Sequence, residues 1–543
     1  MKPPNTIQKL NDRRLEDTGI AEGTLPSLKA GVLLTTSLVS ALIMLDANIV
    51  AVSLPAIAQT FGASFSSLEW VISSYLLSYA ALLLGAGSFA DLCGRKKAMV
   101  IGLAVFGLAS IACGGATSLL MLNIARVVQG IGASMLLTAA LAVITRTFVG
   151  PERTHAFAVW GACLGVALTS GPLIGGVITS FLGWRWIFLI NIPICIGLIW
   201  ASLRFLSESR DENAKRLDIA GIASFTPGLL FLVWALIDGN ERGWGSITIL
   251  LRFAASLACF LVFVTIEISQ KRPMVDLSLF RRPTFLGAVL AMVGYGATAQ
   301  VMVFYLPLFL QNVYGFSPAI AGLAMLPFAL PMVLAPKWSS QMALACSGRL
   351  VLTVGLAITF LGNILFWILA GNHLPYAIFV LGMLVSGTGA GILNAETVKV
   401  IGAAVPTDRA GMASGIASTA RFVGILVGVA GLGAILADVS HRQFLSAAQA
   451  AGLDSQAANS ALSHANSSNS MGALPGVSEG LQSQLHLAAS YSFASGFAVA
   501  GLVAALVAAA SSLSAFWLIR SSETAPLGGS TNRICKIVDC PIP

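Results

Sequence analysis

Two side chains of opposite charge stand inside long apolar stretches of this 543-residue chain. Asp46 lies in the stretch near 29–54, and Arg126 lies in the stretch near 119–147. An arginine at the centre of a membrane-spanning helix costs at least about 2.5–3.5 kcal/mol unless it finds a partner. A buried carboxylate is also unfavourable when charged, so burial favours its protonated form. Both residue types therefore suit a membrane protein that takes up a proton on one side and releases it on the other.

Each of these two residues also has a simpler interpretation. Arg126 lies about seven residues, or roughly 10 Å, into its stretch, where it could serve a purely structural ion pair. Asp46 lies about 17 residues past Lys29, roughly 25 Å along a helix, and could instead reach the headgroups of the far leaflet. We expect the proton-coupling role for both Asp46 and Arg126.

A cationic loop follows the second apolar stretch, and segment 87–97 reads GSFADLCGRKK. Gly87 allows close approach of helices, and Gly94 can take the positive φ of a tight turn. Asp91 can cap the next helix or pair with Arg95, and the adjacent cations are typical of a loop that faces an anionic inner leaflet. The residues alone therefore predict a tight cytoplasmic turn, whose plain interpretation is an orientation signal.

The fifth apolar stretch carries glycines at helical spacing, since segment 161–176 reads GACLGVALTSGPLIGG. Two glycine pairs are spaced four residues apart: Gly161/Gly165 and Gly171/Gly175. Such spacing gives a smooth groove in which another helix can approach closely. Pro172 removes a backbone hydrogen bond and bends the helix.

Apolar segments that must position these residues dominate the composition. Hydrophobic residues make up 56% of the chain and charged residues only 10%, with a mean hydropathy of +0.85; soluble proteins carry about 25% charged residues. A hydrocarbon core about 30 Å thick needs roughly 20 apolar residues per helix. We therefore predict about fourteen membrane-spanning helices, near 29–54, 68–90, 98–117, 119–147, 155–181, 186–206, 218–237, 246–268, 284–309, 318–338, 349–370, 375–403, 411–437 and 489–519.

The charge distribution predicts an orientation and excludes several classes of protein. A cytoplasmic N-terminus places most of the 31 Lys and Arg residues on the cytoplasmic side and makes both termini cytoplasmic. No basic cluster is interleaved with stacking aromatics, so nucleic acid is not an expected partner. The sequence offers no metal-ligand set, nucleotide loop or nucleophile–base pair, so we expect no enzyme activity, no metal and no cofactor.

Taken together, these motifs resemble the major facilitator superfamily. Segment 87–97 resembles its signature loop, the RVVQG segment that begins at Arg126 resembles its proton-coupling motif, and segment 161–176 resembles its antiporter motif. Further strings are similar to those of fourteen-helix drug exporters: WRWIFLINIP at 184–193, PMVDLSLF at 273–280 and LPLFLQ at 306–311. The resemblance covers about residues 30–437 and the last span, and it is to drug/proton antiporters of the EmrB/QacA type.

The resemblance implies an all-α polytopic membrane protein with the major facilitator fold, about 14 transmembrane helices arranged 6 + 2 + 6. The expected parts are a cytoplasmic tail at 1–28, a six-helix bundle at 29–206, an inserted helix pair at 207–283, a second bundle at 284–519 with an external loop at 438–488, and a cytoplasmic tail at 520–543. It further implies that segment 87–97 is a gating loop, in which Gly87 and Gly94 shape the turn and Asp91 and Arg95 hold a lock between helices. It also implies that Arg126 takes part in proton coupling. It assigns Gly165, Gly171, Pro172 and Gly175 to the antiporter motif.

The expected function is proton-coupled export of small amphipathic toxic compounds across the cytoplasmic membrane. Its expected partners are those compounds, protons and the lipid bilayer, and the sequence does not reveal whether a periplasmic adaptor takes part. The alternatives are a major facilitator transporter of a specific metabolite, such as a sugar, organic anion or amino acid, and a membrane receptor or scaffold. The antiporter motif argues against the first. Glu396 and Arg421 are two further candidate site residues inside apolar stretches.

Overall fold

The computed structural model describes residues 25–210, 218–270, 275–405, 410–450 and 479–524. These residues fold into α-helices joined by short turns, with brief 3-10 and π segments. The amino-terminal helices are α1 (Leu25–Phe61), α2 (Phe65–Cys93), α3 (Arg95–Gly114), α4 (Leu119–Thr147), α5 (Gly150–Phe181), α6 (Trp186–Leu189) and α7 (Asn191–Phe205). They are followed by α8 (Ile219–Arg242) and α9 (Ile247–Ser269).

The carboxyl-terminal helices begin after a 3-10 turn at Leu277–Arg281. They are α10 (Pro283–Tyr295), α11 (Met302–Tyr314), α12 (Pro318–Ala324), α13 (Leu326–Ala345), α14 (Gly348–Gly371), α15 (Tyr376–Ala403), α16 (Ala410–Ala450) and α17 (Glu479–Leu518). A π segment, Gly296–Gln300, joins α10 to α11 within one span, and a 3-10 turn, Ser521–Thr524, follows α17.

Serine hydroxyls begin several of the spans. Ser118, Ser246 and Ser317 each accept a hydrogen bond from the backbone N–H three residues ahead, at 3.2–3.4 Å. Such caps satisfy N–H groups that have no partner inside the helix. Because the turns are short and capped, consecutive spans run in opposite directions through the bilayer.

The predicted number of spans is confirmed. Thirteen helices in the described residues are long and apolar enough to cross a membrane, and the bent helix α2 raises the number to fourteen. The bend of 55° lies between Leu83 and Gly85. The protein is therefore a multi-pass membrane protein, with thirteen or, counting the bent helix, fourteen helical spans in the described residues.

Helix contacts repeat between the first six and the last six spans. In the first set α1 packs on α5, α2 on α4, and α3 on both α4 and α7. In the second set α10 packs on α16, α13 on α15, and α14 on both α15 and α17. We call these sets the N-terminal bundle (α1–α7) and the C-terminal bundle (α10–α17). The pair α8–α9 lies beside both, because α8 contacts α2 and α16.

The bundles meet through α5 against α12, α1 against α11 and α2 against α16. We call the end that carries the turns 62–64, 182–185 and 315–317 the upper end. Helix α16 extends through 438–450 and α17 begins at Glu479, so the loop expected at 438–488 is helical on both sides of 451–478, which lie outside the described residues. The other expected domain limits remain predictions.

Candidate functional site

The two charged residues found in the sequence meet inside the N-terminal bundle. Nη1 of Arg126 lies 2.6 Å from Oδ2 of Asp46, and both side chains are 0% exposed. The structure therefore provides the partner that a buried arginine needs. Asp46 comes from α1 and Arg126 from α4, so the ion pair ties two helices of the bundle together.

Three amide and hydroxyl side chains complete the polar network. Gln129 and Asn191 donate to Oδ1 of Asp46 at 2.9 and 2.8 Å, and Gln129 also accepts from Nη1 of Arg126 at 2.8 Å. Both amides donate to Oγ of Ser110, at 2.9 and 3.3 Å. The Asp46 carboxylate thus accepts one ionic and two amide hydrogen bonds, which suit its charged form.

Sequence reasoning did not assign these three residues to the site. Gln129 and Asn191 stand in strings that carried the family resemblance, but Ser110 had no distinguishing signal because serine is common in membrane helices. Only the packing of α3 and α7 against each other brings Ser110 and Asn191 together.

Close helix packing carries Arg126 into the bundle. A Cβ added at Gly132 would lie 2.9 Å from the carbonyl oxygen of Gly102, so only glycine lets α4 approach α3 this closely. Arg126 then donates from Nε to the carbonyl of Val71 at 3.1 Å, and its Cζ lies 4.1 Å from the centre of the Tyr75 ring. Both contacts come from α2, and cation–π attraction adds to the ion pair.

One donor of the arginine remains available. Nη2 of Arg126 is buried without a hydrogen-bond partner among the residues that the structure describes. A buried unpaired donor costs about 1–3 kcal/mol. The guanidinium is therefore held tightly on the Asp46 side, and its Nη2 amino group, with two N–H donors, is available to bind when the helices move.

The candidate gating loop forms its ion pair locally. Arg95 donates to Oδ1 of Asp91 from Nη2 at 2.8 Å and from Nε at 3.1 Å. Gly94 separates α2 from α3 at φ 110°, which side chains rarely adopt, as the sequence predicted. Glu208 accepts from the backbone N–H of Lys96 at 3.2 Å and so stabilises the positive start of α3. The Asp91–Arg95 ion pair joins the end of α2 to the start of α3 in this structure, and the lock expected of it stays a prediction.

Gly87 lies in a looser contact. A Cβ there would be 3.8 Å from a Thr138 methyl group, an ordinary van der Waals distance. The close approach expected at Gly87 is therefore not present in this conformation.

The glycines of the predicted antiporter motif divide into two groups. Cβ atoms at Gly171 and Gly175 would lie 2.9 Å from Asn48 and 2.6 Å from the Ile49 carbonyl, so these glycines let α5 pack tightly on α1. At Gly161 and Gly165 an added Cβ would meet nothing within 4 Å. In this conformation the second pair therefore lines a close helix contact, whereas the first pair does not.

Pro172 lies where the two bundles meet. A Cβ at Gly322 of α12 would lie 2.5 Å from the Pro172 carbonyl oxygen, and one at Gly176 would overlap the Pro318 carbonyl. Nearby, the N–H of Ala319 donates to Oγ of Ser180 at 3.1 Å. The motif helix therefore forms the upper contact between bundles, backbone against backbone.

The two further candidates lie in the C-terminal bundle, away from the central pair. Arg421 donates from Nε to Oε1 of Gln300 at 2.6 Å, so the π segment supplies the partner that the sequence did not reveal. Glu396 is 4% exposed and accepts from Ser339 at 3.2 Å and from Nζ of Lys399 at 3.1 Å. Neither joins the Asp46 network.

A buried acid that sequence reasoning passed over lies at the bundle contact. Glu69 of α2 is 5% exposed, and its Oε1 lies 3.3 Å from the hydroxyl of Tyr305 in α11. Its signal in the sequence was a glutamate inside the apolar stretch 68–90, which was not singled out because it stands near the start of the stretch.

Comparisons with known proteins agree with this architecture. The family model described as Major Facilitator Superfamily matches residues 36–429. The chain is 35% identical over 407 residues to Multidrug resistance protein Stp of Mycobacterium tuberculosis, covering 75% of each chain. It is 35% identical over 410 residues to Cephamycin export protein CmcT of Amycolatopsis lactamdurans, covering 73% of this chain and 84% of that protein.

A solved structure shows the same fold at low identity. A bacterial homologue of the human lysosomal transporter Spinster superposes with a TM-score of 0.58 at 18% identity, covering 90% of this chain and 98% of that one.

Proposed function

Since the chain belongs to the major facilitator superfamily, we propose that it exports small amphipathic toxic compounds across the cytoplasmic membrane in exchange for protons. The relatives named above are resistance and export proteins, which supports drug efflux and does not favour transport of a sugar, organic anion or amino acid. Members of a transporter family move solutes, so we propose no enzymatic step. The N-terminus, by loop charge, lies in the cytoplasm, and the upper end then faces outward.

The observation that carries proton coupling is the sealed Asp46–Arg126 pair. A carboxylate with an arginine at 2.6 Å and no exposure can exchange a proton with water only after the helices around it move. Protonation removes the negative charge and frees the guanidinium, whose unpaired Nη2 is already available. Proton uptake and helix movement are therefore linked at one site, as an antiporter requires.

The Asp46–Arg126 pair can act as a conformational switch, because neutralising one of its two charges is unfavourable. Removing one partner of a buried pair costs about 3–5 kcal/mol, because the other charge is left buried and unpaired. The protonated state must therefore rearrange, either by hydrating Arg126 or by giving it a new anionic or polar partner. A drug entering between the bundles and a proton on Asp46 then stabilise different arrangements of the same helices.

The test uses inside-out vesicles with an acidified interior and a pH-sensitive dye. Lipophilic cations, dyes and antibiotics are added to the wild type, Asp46→Asn and Arg126→Ala. We expect compound-dependent proton release in the wild type and its loss in both variants.

The matched control is Asp238→Asn. Asp238 pairs with Arg252 at 2.7 Å, but in the inserted pair α8–α9 and outside the bundle interior. It should retain compound-dependent proton release. Equal proton release from the wild type and Asp46→Asn would refute Asp46 as the coupling group. If no compound caused proton release with the wild type or any variant, drug/proton exchange would be refuted for the compounds tested.

A further inference from the structure

Glu69 is buried at the upper contact between the bundles without a counter-charge. Its carboxyl faces Tyr305 of α11 and the stretch of α16 that contains Val429 and Gly433. Among the residues that the structure describes, no lysine, arginine or histidine lies within ion-pair distance of it. The mechanism proposed above makes no use of this acid.

Helix α16 makes room for this carboxyl with a glycine. A Cβ added at Gly433 would overlap Oε1 of Glu69 and the hydroxyl of Tyr305. Any other residue there would displace the acid from the contact. The carboxyl, the phenol and the glycine come from α2, α11 and α16, so the site exists only while the two bundles are together at the upper end.

The hydrogen atoms available at the site indicate the protonation state of Glu69. The Tyr305 hydroxyl has one hydrogen and lies within hydrogen-bond reach of both the Val429 carbonyl and Glu69. A carbonyl can only accept, whereas a neutral carboxyl can donate. If Tyr305 donates to Val429 and Glu69 donates to Tyr305, all three groups are satisfied. An ionised Glu69 would compete with Val429 for the single hydrogen and would stand uncompensated among apolar side chains.

The remaining surroundings of the carboxyl are apolar. A small cavity beside it is lined by Leu54 of α1, Leu68 and Ile72 of α2, and Leu308 of α11. Tyr305 is the one titratable group that faces Glu69 from the described parts of these helices and of α16. No neighbouring charge in these parts offsets an ionised carboxylate, so the closed contact favours the neutral form.

We propose that Glu69 is a second proton-binding site, a latch that holds the upper end closed while its carboxyl is neutral. This inference rests on the proposed antiport and outward orientation. When the upper end opens, water reaches the carboxyl, which releases its proton to the outside. When the end closes, Glu69 takes one proton back from the outside, keeps it, and donates a hydrogen bond to the Tyr305 hydroxyl. The proton of the latch is returned to the side it came from, so it gates the cycle and adds nothing to the transported charge.

External acidity then favours closure of the upper end, which is the step that an exporter must take after it has released its drug outside. A low external pH protonates Glu69 in the outward-open state and favours closure of the upper end. For one linked proton, the ratio of open to closed molecules rises by up to about tenfold per pH unit.

The test measures the distance across the upper end of the full-length chain by electron–electron double resonance between pH 5 and 9. Spin labels are placed on cysteines at Leu182 and Asn372, exposed positions in turns of the two bundles. In the wild type the long-distance fraction should grow as pH rises. Glu69→Gln keeps a donor for Tyr305 but has no proton to lose, so it should stay closed over the whole range. Tyr305→Phe should raise the open fraction at low pH while the carboxyl still titrates.

Two controls separate the latch from other acids. Glu267→Gln changes a buried acid in the inserted pair, 2% exposed, and should titrate like the wild type. Asp46→Asn should keep a pH response because Glu69 still titrates, but a smaller one than the wild type because protonation of Asp46 contributes to the same closing step. The proposal would be overturned if the distance between the spin labels did not change with pH in the wild type, or if it changed in Glu69→Gln as it does in the wild type. The distances are measured without drug, so failure of drug/proton exchange leaves this result independent.

Discussion

The upper contact between the bundles should weaken when Gly322 is replaced by alanine. The new Cβ would lie 2.5 Å from the Pro172 carbonyl oxygen and 2.9 Å from Cα of Leu173. An ordinary C···O contact is about 3.3–3.6 Å, so the two helices must separate by about 1 Å. The obstacle is backbone on α5, which cannot turn aside as a flexible side chain would.

The size of the effect follows from that overlap. Forcing an extra methyl group into a packed contact costs about 1–3 kcal/mol. Since only the closed upper end contains this contact, the whole cost falls on the closed state, and the closed-to-open ratio should fall roughly 5- to 150-fold. The chain should still fold, because each bundle keeps its own internal packing.

Cross-linking measures the change directly. Cysteines replace Ser180 and Ala319, which are already in hydrogen-bond contact, and disulfide yield reports closure of the upper end. Gly322→Ala should lower the yield, whereas Gly161→Ala, where an added Cβ meets nothing within 4 Å, should leave it unchanged. Equal yields in both variants would show that α5 and α12 can absorb the methyl group without opening, and the reasoning would be refuted.

Three further outcomes are expected. Gly94→Ala forces a side chain into φ 110° and should cost about 1–3 kcal/mol, seen as a lower unfolding temperature that Gly402→Ala, in open space within a helix, does not show. Ser110→Ala removes the acceptor of two buried amides, should destabilise the fold by about 1–3 kcal/mol, and should shift the pH profile of compound-dependent proton release; an unchanged profile would confine Ser110 to a structural role. Burial lowers the pKa of His373 below its ordinary value of 6.5, so the midpoint of its NMR titration should lie below pH 6.5 and the folded state should lose stability as the pH drops below 6.5, because the unfolded chain binds this proton more tightly; a midpoint at or above 6.5 would contradict this.

Much of the fold followed from the sequence because membrane spans have a strong physical signal. A spanning helix must be long, apolar and self-satisfied in its hydrogen bonds, and fourteen such segments were readable. The two charged residues were found by the same logic, since Asp46 and Arg126 are expensive wherever they lie in lipid. That they pair with each other was not readable, because 80 residues separate them.

The contacts between bundles were the hardest part to predict. Gly322 and Gly433 had no special spacing, and glycine is common throughout these helices, yet each stands where a Cβ would overlap the facing bundle or a side chain from it. The close pairing at Gly161 and Gly165 was expected from spacing alone and is not met. The spacing of glycines describes one face of one helix, whereas a close contact also depends on the helix that packs against it.

The positions of Asp46 and Glu69 explain how protons could control helix movement without direct coupling between the two sites. Asp46 lies inside one bundle and has an arginine, so its charged form is stable while the helices of that bundle are packed. Glu69 lies between bundles and has only a phenol, so its neutral form is stable while the bundles are together. In the proposed antiport cycle, external protons act on both acids in the same direction: they neutralise Asp46, which weakens its pairing with Arg126, and they protonate Glu69, which favours closure of the upper end. After an outward-open transporter has released its drug, a single drop in external pH would favour its return to the state with a closed upper end. The drop would act at two places, the Asp46–Arg126 pair and the Glu69–Tyr305 contact, and the protonation of each is coupled to the same conformational change.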